Sequence, residues 1–420
     1  MSRLKVLASA FTCAPPGKAG FTGGESLLGW NLVNQISRFH EVWALTQEED
    51  RITIEESLEG GFPSNIHFQY VGLPAVLRPL LRMQGGHQLY YYLWQIKAYF
   101  VARKLHKEQR FDLFHHITSA NDWGASFIGA LLPVTYIRGP GGGAQRTPKR
   151  FLTQYSLKGR LWEHLRTLGQ WLFKHDPFFV LGQIRAKAIL VCNPETLQAL
   201  PERWKAKAHL FSVNGVSASD LALYSPTESK DGEFRVLSAS KLLRIKGHRL
   251  GVQAFAAFAE NHNDATFTVV GDGPDSQYLR DLARDCGIDQ KITFDGWVPR
   301  EEVLQTMASS DVFLFCGLRD GGGEVVVEAM STGKPVVCLD VGGPSIHVTD
   351  ASGIKVKATS PDSTVKELAA ALERLYLDRK LLTNMGKVSH ERAVQVYHWD
   401  RVGERLMGIY HQAANVEKNR

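Results

Sequence analysis

Two runs of charged residues and glycine in the second half of the sequence have the composition of a phosphate and sugar site. The first carries Lys241, Arg244 and Lys246, directly after a predicted strand at residues 234–239. Because open α/β sheets bind ligands beyond the carboxyl ends of their strands, these cations could neutralise the charge on a departing diphosphate. The alternative is a solvated basic loop, which is the usual setting of Lys and Arg side chains.

The second run leads into a predicted helix and contains two carboxylates at a suggestive spacing. It comprises, in order, Asp320, Gly321, Gly322, Gly323 and Glu324, with Glu328 inside the helix that begins near Glu324. The amides of the three glycines could cradle a phosphate or a sugar. Asp320 and Glu328 lie eight positions apart, so one carboxylate could face a sugar while the other accepts hydrogen bonds from a ribose diol. An isolated Glu328 would instead be a capping or ion-paired helix residue.

Two glycine loops in the first half also follow predicted strands. Gly23 and Gly24 open a predicted helix, where free N–H groups and the helix dipole favour a phosphate. The pattern is not G-x-G-x-x-G, which disfavours a dinucleotide site, and a simple tight turn is the alternative. Residues 138–143 include Gly142 among four glycines. Such a loop suits close approach to a ligand or a facing domain, and the alternative is a flexible connection.

His115 and His116 end another predicted strand. Adjacent residues of a strand point to opposite faces, so only one of the two rings can enter a given site. A third ligand at suitable spacing is missing from the sequence pattern, and we therefore expect no metal site. The five cysteines are scattered and form no C-x-x-C pair, which predicts neither a disulfide framework nor a zinc site and fits a reducing cytoplasm.

Strand-like apolar runs that alternate with amphipathic stretches must position these residues. The predicted strands are residues 5–10, 40–45, 66–71, 111–116, 133–137, 188–192, 234–239, 265–271, 291–294, 312–315 and 335–339. Strands separated by helices imply βαβ units and parallel sheets. Two such sets predict an α/β protein of two Rossmann-like, doubly wound domains facing each other across a cleft, with a boundary near Asn214 and Gly215.

Composition places the chain among ordinary globular proteins. It has 420 residues, of which 44% are hydrophobic and 22% charged, enough for two or three domains. The start of the chain leads into a strand, so we expect no signal peptide. The longest uncharged stretch, residues 123–137, is shorter than a spanning helix requires, which predicts a soluble or peripheral protein. Residues 1–212 hold 25 Lys and Arg against 15 Asp and Glu, and this excess of positive charge could attract phosphate-bearing substrates, anionic lipid or nucleic acid.

The segment 73–110 interleaves aromatic and basic residues. This composition suggests a surface that binds an anionic membrane, and hence a lipid-linked acceptor. An equally simple interpretation is a core helix with a solvated basic face. Nucleic acid is the least favoured partner because no recognisable nucleic-acid motif accompanies the basic charge.

The whole set resembles the retaining family-4 (group 1) glycosyltransferases of GT-B fold. The most specific part is Glu328-Ala329-Met330 followed by Gly333-Lys334-Pro335-Val336. The family's first Glu falls on Asp320, which keeps the charge but is one methylene shorter. Its diphosphate-binding Arg and Lys fall on Lys241 and Lys246, and its ribose-binding carboxylate on Glu328.

Pattern and resemblance together give the predicted site. The predicted catalytic residues are Lys241, Lys246, Asp320 and one of His115 and His116. The predicted donor-binding residues are Gly23, Gly24, Gly142, Arg244, Gly321, Gly322, Gly323, Glu324 and Glu328. The resemblance also implies an acceptor-side domain at 1–212, a donor-binding domain at 213–395, and a C-terminal helix at 396–420 that packs back on the first domain.

The resemblance implies transfer of a sugar with retention of configuration and without an obligatory metal or cofactor. The donor would be a UDP- or GDP-sugar. The acceptor would be a glycan, lipid-linked or small-molecule hydroxyl in cell-surface polysaccharide or glycoconjugate synthesis, at the cytoplasmic side of the membrane. The sequence agrees in lacking a D-x-D metal motif. The alternatives are a sugar-nucleotide epimerase of the same fold and a non-catalytic sugar-nucleotide-binding homologue.

Overall fold

The computed structural model describes residues 3–15, 24–58, 63–83, 86–226 and 232–418. Gly23, one of the predicted donor-binding residues, lies outside these ranges. No helix within them is both long enough and apolar enough to cross a lipid bilayer.

The first domain is built on a parallel sheet. Its strands are β1 (Lys5–Ser9), β2 (Glu41–Gln47), β3 (Ile66–Val71), β4 (Leu113–His116), β5 (Thr135–Gly141), β6 (Ala186–Val191) and β7 (Ala208–Leu210). Over the described residues they pair in the order β3-β2-β1-β4-β5-β6-β7. Side chains alternate between the faces of the sheet, so Val6 and Ala8 enter one apolar layer while Leu7 enters the other.

Helices cover both faces of this sheet. They are α1 (Gly24–Ser37), α2 (Arg51–Leu58), α3 (Gly86–Gln109), α4 (Phe127–Leu131), α5 (Leu157–Lys174), α6 (Pro177–Arg185), α7 (Pro194–Gln198) and α8 (Glu202–Lys205). Of the six aromatic residues of α3, Tyr90, Tyr91 and Trp94 are buried, whereas Phe100 is 60% exposed. The buried residues agree with the core-helix interpretation of segment 73–110, and the membrane-binding interpretation stays a prediction.

The second domain repeats the arrangement. Its strands are β8 (Phe234–Ala239), β9 (Ala265–Val270), β10 (Ile292–Gly296), β11 (Val312–Phe315), β12 (Val336–Leu339) and β13 (Gly353–Val356). Its helices are α9 (Ala218–Leu221), α10 (His248–Ala259), α11 (Ser276–Asp285), α12 (Arg300–Ser309), α13 (Glu324–Ser331), α14 (Pro344–His347), α15 (Pro361–Leu377) and α16 (Arg379–Arg392). The described strands form one parallel sheet in the order β10-β9-β8-β11-β12-β13. Two Rossmann-like α/β domains are thus confirmed.

The chain passes between the domains at a short backbone bridge. The Val216 amide donates to the Tyr397 carbonyl at 2.8 Å, and the Trp399 amide donates to the Val216 carbonyl at 3.1 Å. Helix α17 (Trp399–Lys418) then returns to the first domain, where Leu406 and Tyr410 join the apolar layer beside α1. The division of the domains at residue 212 stays a prediction.

Candidate active site

Lys246 and Asp320 form an ion pair at the carboxyl ends of two adjacent strands. Lys246 ends a short turn after β8, and Asp320 follows β11, which pairs with β8. Lys246 Nζ donates to Oδ2 of Asp320, while Oδ1 accepts a hydrogen bond from the Gly323 amide at 2.8 Å. An ammonium group has three donors, so this pair leaves Lys246 able to hydrogen-bond a phosphate oxygen as well.

The glycine loop after Asp320 lies against the first domain and the interdomain segment. Asn193 Nδ2 donates to the Gly321 carbonyl at 3.2 Å, and Asn214 Nδ2 donates to the Gly322 carbonyl at 2.6 Å. A Cβ atom added at Gly142 or at Gly321 would lie 3.3 Å from Nε2 of Gln145. Gly142 of the first domain and the loop of the second are therefore neighbours, as the predicted cleft requires.

The N-termini of α1 and α13 face each other across the two domains. Gly323 takes a φ of 70°, a backbone conformation that favours glycine, immediately before α13. Glu324, the first residue of α13, places its carboxylate against Gly24, where an added Cβ would collide with it. Gly24 and Glu324 were both predicted to bind the donor, and the structure brings them into contact.

The pKa of the Glu324 carboxyl group is shifted by burial and by the charged residues around it. Burial raises the pKa of its carboxyl to about 7, and the charges of Glu328 and Asp320 act in the same direction. The cations Arg300 and Lys246 act in the opposite direction. The carboxyl group is thus poised to change its charge near neutral pH.

We expect this titration to govern donor affinity. Above a pH of about 7 an ionised Glu324 repels a diphosphate, whereas below it the neutral acid does not. Affinity for a nucleoside diphosphate sugar should therefore rise several-fold, up to about tenfold per pH unit, as the pH falls from 8 to 6. Isothermal titration calorimetry of the wild type and of Glu324→Gln at several pH values measures this affinity. The variant should show a nearly flat profile, and equal pH slopes for both proteins would contradict the assignment.

Glu328 belongs to an ion-pair network inside the second domain. Nε of Arg300 donates to Oε1 of Glu328 at 2.6 Å, and Nη1 of Arg300 donates to Oδ1 of Asp220 at 2.9 Å. The side chains of Glu328 and Asp220 are only 12% and 8% exposed. Glu328 is thus near the predicted site but carries a structural partner that sequence patterns did not reveal.

Arg244 and Lys241, the other two basic residues of the predicted clamp, lie apart from the Lys246–Asp320 pair. The Arg244 guanidinium donates to the Gln154 carbonyl at 3.1 Å, pairs with Asp275 at 3.6 Å and lies 5.6 Å from the centre of the Tyr278 ring, and its predicted role in donor binding stays a prediction. These contacts hold it in a separate crevice, whereas Lys246 contacts Asp320. Lys241 is exposed beyond the end of β8, and its predicted catalytic role stays a prediction.

Both histidines of β4 are buried, which corrects the expectation that one faces the cleft. His115 contacts the Tyr410 hydroxyl at 2.7 Å through Nδ1 and the Gly139 carbonyl at 2.5 Å through Nε2. His116, on the opposite face of the strand, contacts the Tyr91 hydroxyl at 2.6 Å. Burial lowers the pKa of His115 to about 4 and that of His116 to about 3, so both rings are neutral at pH 7.

A cavity of about 280 Å³ opens in the first domain beside the glycine loop at 141–142. It is bounded by the first turns of α1 and α3, by the loop after β4 and by the end of α5. Its lining includes Glu25, Tyr91, Trp123, Gly142 and Phe173. His116 lies directly behind Tyr91, so it can act on this cavity only through that side chain. The mixed aromatic and polar lining suits a sugar or another acceptor with both kinds of surface.

Several residues of the site were not predicted from the sequence. Asn193, Gln145 and Arg300 are single polar residues without a motif, and only the fold brings them to the glycine loop or to Glu328. The same is true of Glu163, whose carboxylate binds Arg319 at 2.6 Å across the two domains. Among the described residues, no cluster of three or more His, Cys, Asp or Glu is arranged to hold a metal ion.

Comparison with known proteins shows a similarity in sequence over the second domain. Residues 224–392 match the family described as "Glycosyl transferases group 1". A GDP-mannose-dependent alpha-(1-6)-phosphatidylinositol monomannoside mannosyltransferase of Mycobacterium tuberculosis is 31% identical over 41% of this chain and 46% of its own. A 2-deoxystreptamine glucosyltransferase of Streptomyces kanamyceticus is 31% identical over 39% of this chain and 44% of its own. The matched region spans about half the length of these curated relatives.

Comparison of structures extends the likeness in fold to the whole chain. Anabaena Alr3699/HepE in complex with UDP and glucose has a TM-score of 0.61 and 16% identity, covering 97% of this chain and all of the other. The chain has the GT-B fold of two Rossmann-like domains, and the similarity to group 1 glycosyltransferases in sequence lies within residues 224–392 of its second domain.

Proposed function

We propose that this chain transfers a sugar from a nucleoside diphosphate sugar to a hydroxyl acceptor with retention of anomeric configuration. The observation that carries the proposal is the convergence of Lys246, Asp320 and Glu324 beside the glycine loop 321–323. That loop faces Gly24 and Gly142 of the other domain. A cation, backbone amides and carboxylates in one partly buried place can bind both a diphosphate and a sugar.

In the proposed reaction, the bond between the anomeric carbon and the phosphate oxygen breaks as the bond to the acceptor oxygen forms. The departing phosphate oxygen takes the proton of the acceptor hydroxyl, so the scheme needs neither a protein base nor an obligatory metal. Lys246 and the loop amides stabilise the charge that develops on the leaving diphosphate. Asp320 contacts the sugar, and Glu328 accepts hydrogen bonds from the ribose.

The donor in this proposal is a UDP- or GDP-sugar. A mannosyltransferase relative is named as GDP-mannose-dependent, and a structure of the same fold holds UDP and glucose. The acceptor is a glycan or a lipid-linked glycan bound in the first-domain cavity, whose wall continues to Gly142 of the cleft. Such a reaction would serve cell-surface polysaccharide or glycoconjugate synthesis at the cytoplasmic side of the membrane.

A thermal-shift screen of nucleoside diphosphate sugars tests the proposal. A donor at 100 times its dissociation constant should stabilise the folded protein by about 2.7 kcal/mol, seen as a higher melting temperature. We expect one UDP- or GDP-sugar to give this shift and the free sugar to give none. A flat response across all donors would contradict the proposal.

Product analysis with the donor alone then separates the remaining candidates. A transferase without acceptor should hydrolyse the donor slowly. An epimerase would return an altered sugar nucleotide, and a binding protein would show neither transfer nor hydrolysis. The names of the relatives favour transfer over both alternatives.

A further inference from the structure

Helix α5 exposes most of its apolar side chains, while four of its polar side chains contact the rest of the protein. Its outward side chains, which are 50% to 82% exposed, are Leu157, Leu161, Leu165, Leu168, Trp171 and Leu172. At 3.6 residues per turn these positions fall within about 120° of the helix circumference. They form one stripe, here called the apolar face of α5, and His164 is the single polar residue within the same arc. An ordinary surface helix shows the reverse arrangement.

The opposite face of α5 is fixed to the protein by polar contacts. Arg166 donates to the Gln145 carbonyl at 3.0 Å, and Gln170 donates to the Gly143 carbonyl at 3.1 Å. Lys174 binds Asp122 at 2.7 Å. Glu163 binds Arg319 of the second domain. These contacts fix the rotation of α5 about its axis, and the leucines on the opposite side therefore remain exposed to solvent.

The surroundings of the apolar face are positively charged. Residues 144–162 contain five basic residues and no acidic one. Of these five, Arg146, Lys149, Arg150 and Lys158 are exposed. The single acidic residue of α5, Glu163, is only 13% exposed and is already paired. An apolar stripe flanked by cations is complementary to a surface of hydrocarbon bordered by phosphates.

We propose that α5 lies in the interface of an anionic membrane, with its apolar face among the acyl chains. Amphipathic helices of this length, with basic flanks and tryptophan, bind membranes in this way. A second copy of the chain fits less well, because two such faces brought together would oppose their positive charges. The proposed contact involves α5 and its basic surroundings and does not require segment 73–110.

The position of α5 ties this contact to the candidate site. Phe173, near the end of the helix, lines the first-domain cavity, and its ring lies 5.6 Å from that of Trp123. A membrane against α5 would therefore adjoin the cavity, where a lipid-linked acceptor could enter from the bilayer. This last step rests on the proposed function, whereas binding to the membrane does not.

Vesicle flotation with the full chain tests the contact. The wild type should float with vesicles of phosphatidylcholine and phosphatidylglycerol, and less with phosphatidylcholine alone. The double variant Leu161→Gln/Leu168→Gln should partition at least about tenfold more weakly, because two leucines no longer leave water. The matched control Ile52→Gln/Leu377→Gln, which alters two apolar residues elsewhere that are even more exposed, should float like the wild type.

A second variant tests the charge contribution without touching the helix. Lys149→Glu/Arg150→Glu should weaken flotation with anionic vesicles, and added salt should weaken that of the wild type. Unchanged flotation of the Leu161/Leu168 variant, or a loss confined to Arg103→Glu/Lys104→Glu on α3, would overturn the proposal. A wild-type dimer that the Leu161/Leu168 variant converts to a monomer, without vesicle binding by either protein, would also overturn it. Vesicle binding without any transferase activity would contradict the proposed function but would still support membrane binding by α5.

Discussion

Replacing Lys246 by alanine should lower kcat/KM for sugar transfer by about 100- to 1000-fold. This is the usual effect of removing one group that stabilises charge on a leaving oxyanion. The structure places Lys246 Nζ on Asp320, whose other carboxylate oxygen binds the Gly323 amide, so Lys246 lies beside the glycine loop 321–323. Steady-state kinetics with the donor identified by thermal shift measures the effect.

Two further variants distinguish catalysis from structure at this position. Lys246→Arg keeps the charge and should retain part of the activity, although its planar guanidinium has a different geometry. Lys387→Ala removes an exposed cation from α16 and should leave kcat/KM unchanged. A Lys246→Ala protein with a lower melting temperature but normal kcat/KM would show that the lysine only holds Asp320.

Replacing Glu328 by glutamine should raise the donor KM by about 10- to 100-fold. A hydrogen bond to a charged group contributes roughly 1.5–3 kcal/mol, and the neutral amide loses most of that toward a ribose diol. The same change weakens the pair with Arg300, so a lower melting temperature is expected as well. Kinetics and thermal unfolding of the same preparations separate the two effects.

Asp220→Asn is the matched control, because Asp220 binds the same guanidinium from the other side. It also caps α9, so its loss should lower the melting temperature. We expect its donor KM to stay near that of the wild type. If Glu328→Gln lowers stability in the same way and leaves the KM unchanged, Glu328 is an ion-paired helix residue and not a ribose ligand.

The fold was largely predictable because buried parallel strands leave a strong local signal. Each of the eleven predicted strands corresponds to an observed strand, with small shifts at the ends. The missed strands, β7 and β13, both lie at the edge of a sheet. β7 is only three residues long, and β13 begins with Gly353 and includes Lys355, so neither has a continuous apolar run. Edge strands pair on one side only and need less apolar sequence.

The site was less predictable, because sequence spacing gives neither partners nor the direction of a side chain. Because Arg244 and Lys246 are close in sequence, the pattern predicts that both bind the same diphosphate. In the structure the Arg244 side chain contacts the Gln154 carbonyl, whereas the Lys246 side chain contacts Asp320. The histidines of β4 end a strand near the cleft, but Tyr91 and Tyr410 cover them on opposite faces. Arg300 could not be assigned to Glu328, since only packing brings α12 and α13 together.

The same limit applies to helix α5. The repeat of leucine at positions 157, 161, 165, 168 and 172 predicts that these residues share one face of a helix. Whether that face packs inward depends on what its other side can bind. Here Arg166 and Gln170 meet backbone carbonyls of the loop after β5, and the leucines are left outside.

A crystal structure of the protein with a bound UDP- or GDP-sugar would show whether the donor occupies the proposed site. We expect the diphosphate to lie between the two domains, within hydrogen-bonding distance of Lys246 Nζ and of the amides of residues 321, 322 and 324. We also expect the ribose hydroxyls to donate hydrogen bonds to the Glu328 carboxylate. A donor bound in the crevice beside Arg244 and Tyr278, or inside the first-domain cavity away from Lys246, would rule out this site.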